Sequence, residues 1–308
     1  MEWNDENDAL KQMEPQTDRY NEMFSNYPEK ISPEWVKSTV EWAEKEACKK
    51  TEKETLVRLF NCIDLTSLKT TDNDDTILSL VEKVNSFEDT YPDLKPVASI
   101  CVFPCYAGIV SSSLEVENVR TCCVAGGFPS AQTFPEVKIA ETSLAIHDGA
   151  EEIDIVQNPG HILNGDFETI AQETDELKAV CGDKTLKVII ETCALGTLEN
   201  VKKASLTALY CGADFIKTST GKDGNVADPE SFCVMCRTIR EYADETGRFA
   251  GIKAAGGINS VKDALVYWKI VEKVLGKEWQ NNNRFRIGTS RLANLLLTEI
   301  TGKECTHF

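Results

Sequence analysis

The sequence predicts an α/β protein whose main body is a (β/α)8 TIM barrel with an N-terminal, partly helical extension. Three observations predict it. From Leu59 onward, short apolar runs rich in β-branched residues alternate with longer segments of helical period. Eight such β-then-α units follow one another, and one barrel of this kind fills about 250 residues. No G-x-G-x-x-G follows a strand, which disfavours an open dinucleotide-binding sheet.

Residues 1–55 read as the extension and residues 56–308 as the barrel. Met1 to Lys30 is rich in Asn, Asp and Glu without a period, the pattern of a flexible or loosely docked arm. Ser32-Pro33-Glu34 reads as an N-cap with proline at the first helical position. It opens a helix over Trp35 to Cys48, on the spacing of Trp35, Val36, Val40 and Ala43. The plainest role for this extension is packing. The predicted strands are Phe60–Asp64, Val97–Phe103, Val119–Ala125, Glu152–Val156, Leu186–Glu191, Asp214–Lys217, Gly251–Lys253 and Phe285–Gly288. The predicted helices are Asp74–Phe87, Pro135–Asp148, Phe167–Val180, Leu198–Cys211, Pro229–Glu245, Val261–Leu275 and Arg291–Ile300.

Composition narrows the function. The 308 residues hold 33 Lys+Arg against 50 Asp+Glu, a net charge of −17. Nucleic acid and anionic membranes need a basic footprint, so neither is expected as a main partner. No apolar run approaches the ~18 residues of a membrane span, and Met1 to Tyr20 is too polar for a signal peptide. Twelve scattered cysteines then fit a cytoplasmic protein with reduced thiols that pack as small hydrophobes, Cys233 and Cys236 of the C-x-x-C included. His147, His161 and His307 are too far apart in sequence to suggest a zinc site. No metal or organic cofactor is expected.

Strands buried on both faces should be almost free of charge, because an unpaired buried ion costs several kcal/mol. This chain breaks that rule near its strand ends. Asp64 closes the first strand, Asp154 sits in Glu-Ile-Asp-Ile-Val, Lys187 lies in the fifth strand, and Lys217 and Lys253 end the sixth and seventh. The C-terminal face of such a barrel holds the active site. Asp64 could equally cap a βα turn, and Lys187 could snorkel to the rim. Lys217 and Lys253 are harder to dismiss, since two lysines ending adjacent strands point into one mouth. A lysine attacks only as the free amine, and at a pKa near 10.4 about one in 10³ is free at pH 7. A neighbouring ammonium and an apolar pocket favour the neutral form. The pair therefore suits Schiff-base catalysis on a carbonyl substrate, one lysine attacking and the other perturbing. Asp154 would handle the proton transfers.

Glycine and hydroxyl residues gather at the same end. Gly256-Gly257 follows the seventh strand, Gly288-Thr289-Ser290 ends the eighth, and Thr218-Ser219-Thr220-Gly221-Lys222 follows the sixth. Each could be a tight turn. Together they occupy the loops where barrels of this kind bind phosphate, so a locally basic mouth in an acidic protein is expected to take a small phosphosugar.

Several segments resemble deoxyribose-phosphate aldolase, a class I aldolase family, in its longer eukaryotic form. They are Ile63-Asp64-Leu65-Thr66, Ala98-Ser99-Ile100-Cys101-Val102, Gly127-Phe128-Pro129, Glu152-Ile153-Asp154-Ile155-Val156, Phe215-Ile216-Lys217-Thr218-Ser219-Thr220-Gly221-Lys222, Gly251-Ile252-Lys253-Ala254-Ala255-Gly256-Gly257 and Phe285-Arg286-Ile287-Gly288-Thr289-Ser290. They run in order from about Leu59 to Leu297. The resemblance implies that Lys217 forms the Schiff base and that Lys253 tunes it. Asp154 would anchor a proton relay supported by Asp64 and Lys187. Lys222, Gly257 and Ser290 would contact the substrate phosphate, with Gly256 and Gly288 shaping that subsite. It implies cleavage of 2-deoxy-D-ribose 5-phosphate to acetaldehyde and D-glyceraldehyde 3-phosphate, without cofactor, in deoxyribonucleotide breakdown. It also implies a homodimer, for which the residues give no signal of their own.

The chain departs from the family pattern at several points. Ala254 stands where a proline is usual, Cys193 where a glycine is, and Val226-Ala227-Asp228-Pro229 replaces Asn-Ala-Thr-Pro. Arg291 follows the last phosphate-loop serine, and the chain ends in Phe308 where bacterial members can carry a functional tyrosine. None of these removes a core catalytic group. Two rival readings stand beside the main one: a class I aldolase for another phosphosugar, and a catalytically weak barrel that binds partners through its acidic arm.

Overall fold

The computed structural model describes residue 20, residues 23–27 and residues 30–308. Most of the Met1–Lys30 arm therefore lies outside the described residues. Eight parallel strands form a closed barrel in sequence order: β1 Ile63–Thr66, β2 Ser99–Val102, β3 Arg120–Ala125, β4 Glu152–Val156, β5 Thr185–Ile189, β6 Phe215–Lys217, β7 Gly251–Ala255 and β8 Phe285–Thr289. The ring closes where β8 pairs with β1, Ile63 opposite Ile287 and Asp64 opposite Gly288.

The strands alternate strictly. Ile63, Ile100, Ile153, Val188, Ile216, Ile252 and Ile287 point outward and join the main apolar core beneath the helices. Ala254 is among these outward residues, buried under the helix layer rather than lining the mouth. The intervening inward positions hold charge and sulfur, with only small apolar clusters around Cys101, Cys122 and Val124 and around Val156 and Ile189. Side chains alternate with period 2 along a strand, so one register places every Glu152/Asp154-type pair inside.

Among the described residues, ten main helices surround the barrel: α1 Pro33–Ala47, α2 Lys53–Phe60, α3 Asp74–Asn85, α4 Ala107–Ser113, α5 Pro135–His147, α6 Phe167–Cys181, α7 Leu198–Tyr210, α8 Pro229–Thr246, α9 Val261–Val274 and α10 Leu292–Thr301. Their starts follow capping chemistry. Ser32, Asn73, Asp166, Thr197, Asp228 and Ser260 each accept a backbone N–H of the first turn. Asp228 thus caps α8 ahead of Pro229, a role that Asp fills at least as well as Thr. In α1, Val36, Val40, Ala43 and Ala47 form one buried stripe, and the helix packs against α8 and α9. Lys273 lies 4.3 Å from the Trp42 ring centroid and Arg237 lies 5.6 Å from that of Trp35.

The differences from expectation have local causes. Phe60 ends a helix rather than beginning β1, because Leu56, Leu59 and Phe60 are spaced for a helical face and are all buried. The helix after β2 went unpredicted because its sequence, Ala-Gly-Ile-Val-Ser-Ser-Ser, has weak helix propensity. Strand β5 stops at Ile189, short of Glu191, which adopts a left-handed conformation. No helix among the described residues is long and apolar enough to cross a membrane.

The C-terminal segment folds back along α10. Asn294 Oδ1 accepts from the Phe308 N–H at 3.0 Å, and Asn294 Nδ2 donates to the Phe308 carbonyl at 2.7 Å. The Phe308 ring packs on Phe60 and Phe87, in the layer outside the barrel. Phe308→Ala is accordingly expected to lower unfolding free energy by about 2 kcal/mol for a half-buried ring and to leave kcat unchanged. Urea titration beside a turnover assay checks both.

Candidate active site

The barrel interior is an ion network. Asp154, central on β4, receives three lysine amines. Its Oδ2 accepts from Lys217 Nζ at 2.9 Å and Lys253 Nζ at 2.8 Å, and its Oδ1 accepts from Lys187 Nζ at 2.9 Å. Lys253 also reaches Asp64 Oδ2 at 2.6 Å, and Lys187 reaches Glu152 Oε2 at 2.7 Å. Arg286 closes the base of the network, 2.5 Å from Asp64 Oδ1 and 2.8 Å from Glu152 Oε1. The register explains the convergence: Asp154 sits opposite Lys187, and Lys217 opposite Lys253, which is opposite Arg286. All seven groups are buried.

Four cationic side chains, Lys187, Lys217, Lys253 and Arg286, thus face three carboxylates, Asp64, Glu152 and Asp154. Charge balances when one amine is neutral. Lys253 and Lys187 each hold at least two carboxylates within 3 Å, whereas Lys217 touches only Asp154, and that oxygen is shared with Lys253. Lys217 also ends its strand, at the C-terminal face of the barrel. It is the least committed of the three lysine amines.

Cys122 lies beside the pair, 3.2 Å from Lys187 Nζ and 3.4 Å from Asp154 Oδ1, and burial pushes its thiol well above the usual range. Cys101, Cys122 and Asp154 each bring a donor atom within 4.8 Å of the others, as do Asp64, Cys122 and Glu152. Lys187 binds into both groups, so a cation there would have to displace an ammonium.

The loops at the mouth interlock. Gly256 and Gly257 have φ of +85° and +74°, and a Cβ on Gly256 would stand 2.9 Å from the Asn225 carbonyl oxygen. The loop after β6 therefore lies directly on the glycine turn, and Ala227 N–H donates to the Gly256 carbonyl at 3.0 Å. Cys193 Sγ donates to the Val226 carbonyl at 3.0 Å. Lys222 Nζ donates to the Leu68 carbonyl beyond β1 and lies 5.9 Å from the Phe103 ring centroid. Gly288 also makes room for an amine. A Cβ there would stand 3.1 Å from Lys253 Cε, so glycine lets the Lys253 stem pass. Ser290 and Arg291 are exposed just before α10.

The sequence profile of the DeoC/LacD family aldolases matches residues 90–274, well over half of the chain. The human deoxyribose-phosphate aldolase is 39% identical over 247 residues, 77% of this chain and 78% of that protein. The chain belongs to the DeoC/LacD aldolase family. The bovine deoxyribose-phosphate aldolase is 38% identical over the same shares of the two chains. A tetrameric deoxyribose phosphate aldolase from Aeropyrum pernix, 23% identical, superposes with a TM-score of 0.64 over 83% of this chain and 96% of its own, a likeness of fold.

Within this DeoC/LacD family chain the structure brings Lys217, Lys253, Asp154, Asp64 and Lys187 into one network, leaves Lys222, Gly256, Gly257 and Ser290 in the loops above, and places Gly288 within β8. Sequence reasoning missed Glu152 and Arg286. Both were legible as charged residues two positions from another inward residue, Asp154 and Gly288 respectively. It missed Glu191 too, read as the end of a strand. Burial pushes the Glu191 carboxyl up, against the opposing effect of Thr220 and Lys217.

The network sets a pH dependence. Burial opposes ionisation of Asp154, but Lys187, Lys217 and Lys253 outweigh it and hold the carboxyl well below the usual range. Lys253 and Arg286 do the same for Asp64. The folded state then resists protonation more than the unfolded chain. This stabilisation is present above the ordinary carboxylate pKa near 3.9 and is lost as pH falls through the depressed values. Burial likewise opposes charge on Lys187 and Lys253, yet Asp154 and its fellow carboxylates hold both above the usual lysine value. That contribution is present below about pH 10.4 and is lost as pH rises through the raised values. Urea midpoints are expected to fall below about pH 4, and to fall less steeply in Asp154→Asn.

Proposed function

We propose that the chain cleaves 2-deoxy-D-ribose 5-phosphate reversibly to acetaldehyde and D-glyceraldehyde 3-phosphate through a Schiff base on Lys217. The observation that carries this reading is that Lys217 and Lys253 share one oxygen of a buried Asp154, with one more cation than carboxylates in the network. The free Lys217 amine adds to the C1 aldehyde, and loss of water gives an iminium. Lys253 stays an ammonium, clamped by Asp64 and Asp154.

The iminium is an electron sink, so the C2–C3 bond breaks as the C3 hydroxyl loses its proton to Asp154, directly or through one water. Glyceraldehyde 3-phosphate leaves. The enamine is protonated at carbon, and hydrolysis releases acetaldehyde and Lys217. Lys187 and Arg286 hold Asp154, Asp64 and Glu152 in place, so the proton carrier need not reorganise. Lys222, Gly256, Gly257, Gly288 and Ser290 form the phosphate subsite in this reading, with the Lys222 amine leaving the Leu68 carbonyl for the phosphate.

The aldolase unit in this reading spans residues 56–308, and helix α1 of the 1–55 extension packs on it through α8 and α9. A cytoplasmic setting, where deoxyribonucleotide breakdown supplies the sugar phosphate, fits twelve cysteines with no disulfide among them. A homodimer belongs to the same reading; the Aeropyrum pernix protein, alike in fold, is a tetramer. The test is a cleavage assay on deoxyribose 5-phosphate and on fructose 1,6-bisphosphate. Release of glyceraldehyde 3-phosphate from the first at rates at least tenfold higher is expected. Preference for the second would assign a different aldolase.

A further inference from the structure

Glu191 is the one long side chain among the described non-glycine residues with positive φ, the others being Asn118, Ala131 and Asp223. Asparagine and aspartate tolerate that region, and alanine is small. Glutamate at φ +53°, ψ +55° gains nothing locally, and such a conformation costs on the order of 1–3 kcal/mol unless the surroundings hold it. The side chain is also 3% exposed.

What holds it is the loop after β6. The Glu191 carboxylate accepts from the Thr220 N–H at 3.0 Å and from the Thr220 hydroxyl at 2.6 Å, and the Asn225 side chain bonds to it as well. Thr220 Oγ1 in turn accepts from the Lys222 N–H at 3.1 Å. The next residue, Thr192, donates its N–H to the Thr218 carbonyl at 3.0 Å. One carboxylate therefore ties both limbs of the loop that begins beside Lys217, carries Lys222 and rests on Gly256-Gly257. Charge-assisted bonds of this kind are about twice as strong as neutral ones. A left-handed residue is what turns the chain end of β5 toward that loop.

We infer that Glu191 is a positioning residue for substrate specificity: it fixes the β6 loop so that Lys222 and the glycine turn meet the phosphate of the sugar. The inference rests on the proposed phosphosugar reading and gives a role in it to a residue outside the amine network. It separates the recognition of phosphate from the chemistry at Lys217, because Glu191 makes no hydrogen bond to the Lys217 amine.

The test compares wild type with Glu191→Ala and Glu191→Gln on 2-deoxyribose 5-phosphate and on unphosphorylated 2-deoxyribose. Labelling of Lys217 by acetaldehyde and borohydride is followed in parallel. Glu191→Ala is expected to raise KM for the phosphorylated sugar tenfold or more. It should leave kcat/KM for the unphosphorylated sugar and the acetaldehyde labelling within about twofold. Glu191→Gln keeps one acceptor and should recover part of the loss. Thr220→Val removes the same clasp from the other side and should reproduce the split, which keeps the inference testable should the Glu191 variants fold poorly. Equal loss on both sugars, loss of labelling, or no change on either sugar would overturn it. Wild type that treats both sugars alike would refute the phosphate subsite itself, and the role of Glu191 would fall with it.

Discussion

Asp154→Asn is expected to abolish turnover and to destabilise the barrel at once. The asparagine keeps the shape but removes one of three buried carboxylates, leaving Lys187, Lys217, Lys253 and Arg286 against Asp64 and Glu152. Breaking a buried ion network by deleting one partner costs about 3–5 kcal/mol. For a chain of this size that lowers Tm by roughly 5–15 °C. Loss of the proton carrier alone is worth about 10²–10⁴ in kcat. A specific sign accompanies the loss. Buried amines without enough carboxylates bind protons less readily than in the unfolded chain, so stability of the variant should rise with pH through the neutral range. Wild type, whose network balances with a single neutral amine, should show the smaller rise. Thermal unfolding of both proteins across that range, with turnover measured alongside, checks the pairing of the two effects.

Lys217→Met is expected to do the opposite to stability while doing as much to activity. Removing the nucleophile should lower kcat by about 10⁴ or more, since the residues of a covalent site act as a unit. The same change removes the one amine that is neutral when the charge of the network balances, so three cations still face three carboxylates. No buried charge is left unpaired, and a well-packed apolar chain in that place is expected to be neutral or mildly stabilising. Methionine follows the path of the lysine stem, so the barrel should keep its packing. An inactive protein with an unchanged or raised Tm is the expected result. A strongly destabilised Lys217→Met would mean that Lys217 is a structural member of the network.

The barrel was legible because strands with outward β-branched residues and capped helices obey local rules, and eight such units leave few alternatives. The central ionisable groups were legible for the opposite reason: Lys217, Lys253 and Asp154 violate the rule for buried strands, which makes them candidates for function. What stayed hidden depended on contacts between distant segments. Arg286 and Glu152 are 134 residues apart, and neither looks special until the closed ring places both at its base. Gly288 read as part of a phosphate loop, but it lies in β8, where a side chain would press on the Lys253 stem. Glu191 read as the end of a strand because nothing in its neighbours signals a left-handed turn; only the loop carrying Thr220 explains it. Phe308, suspect for its missing hydroxyl, proves to be a packing residue outside the barrel.

The central claim is that one amine of the network, Lys217, carries the substrate covalently. The most direct measurement adds deoxyribose 5-phosphate and borohydride to the intact protein and locates the reduced adduct by peptide mass. The adduct is predicted on Lys217, with Lys187 and Lys253 unlabelled. Labelling of Lys253 or Lys187 instead, or an unlabelled Lys217 in protein that still turns over, would contradict it.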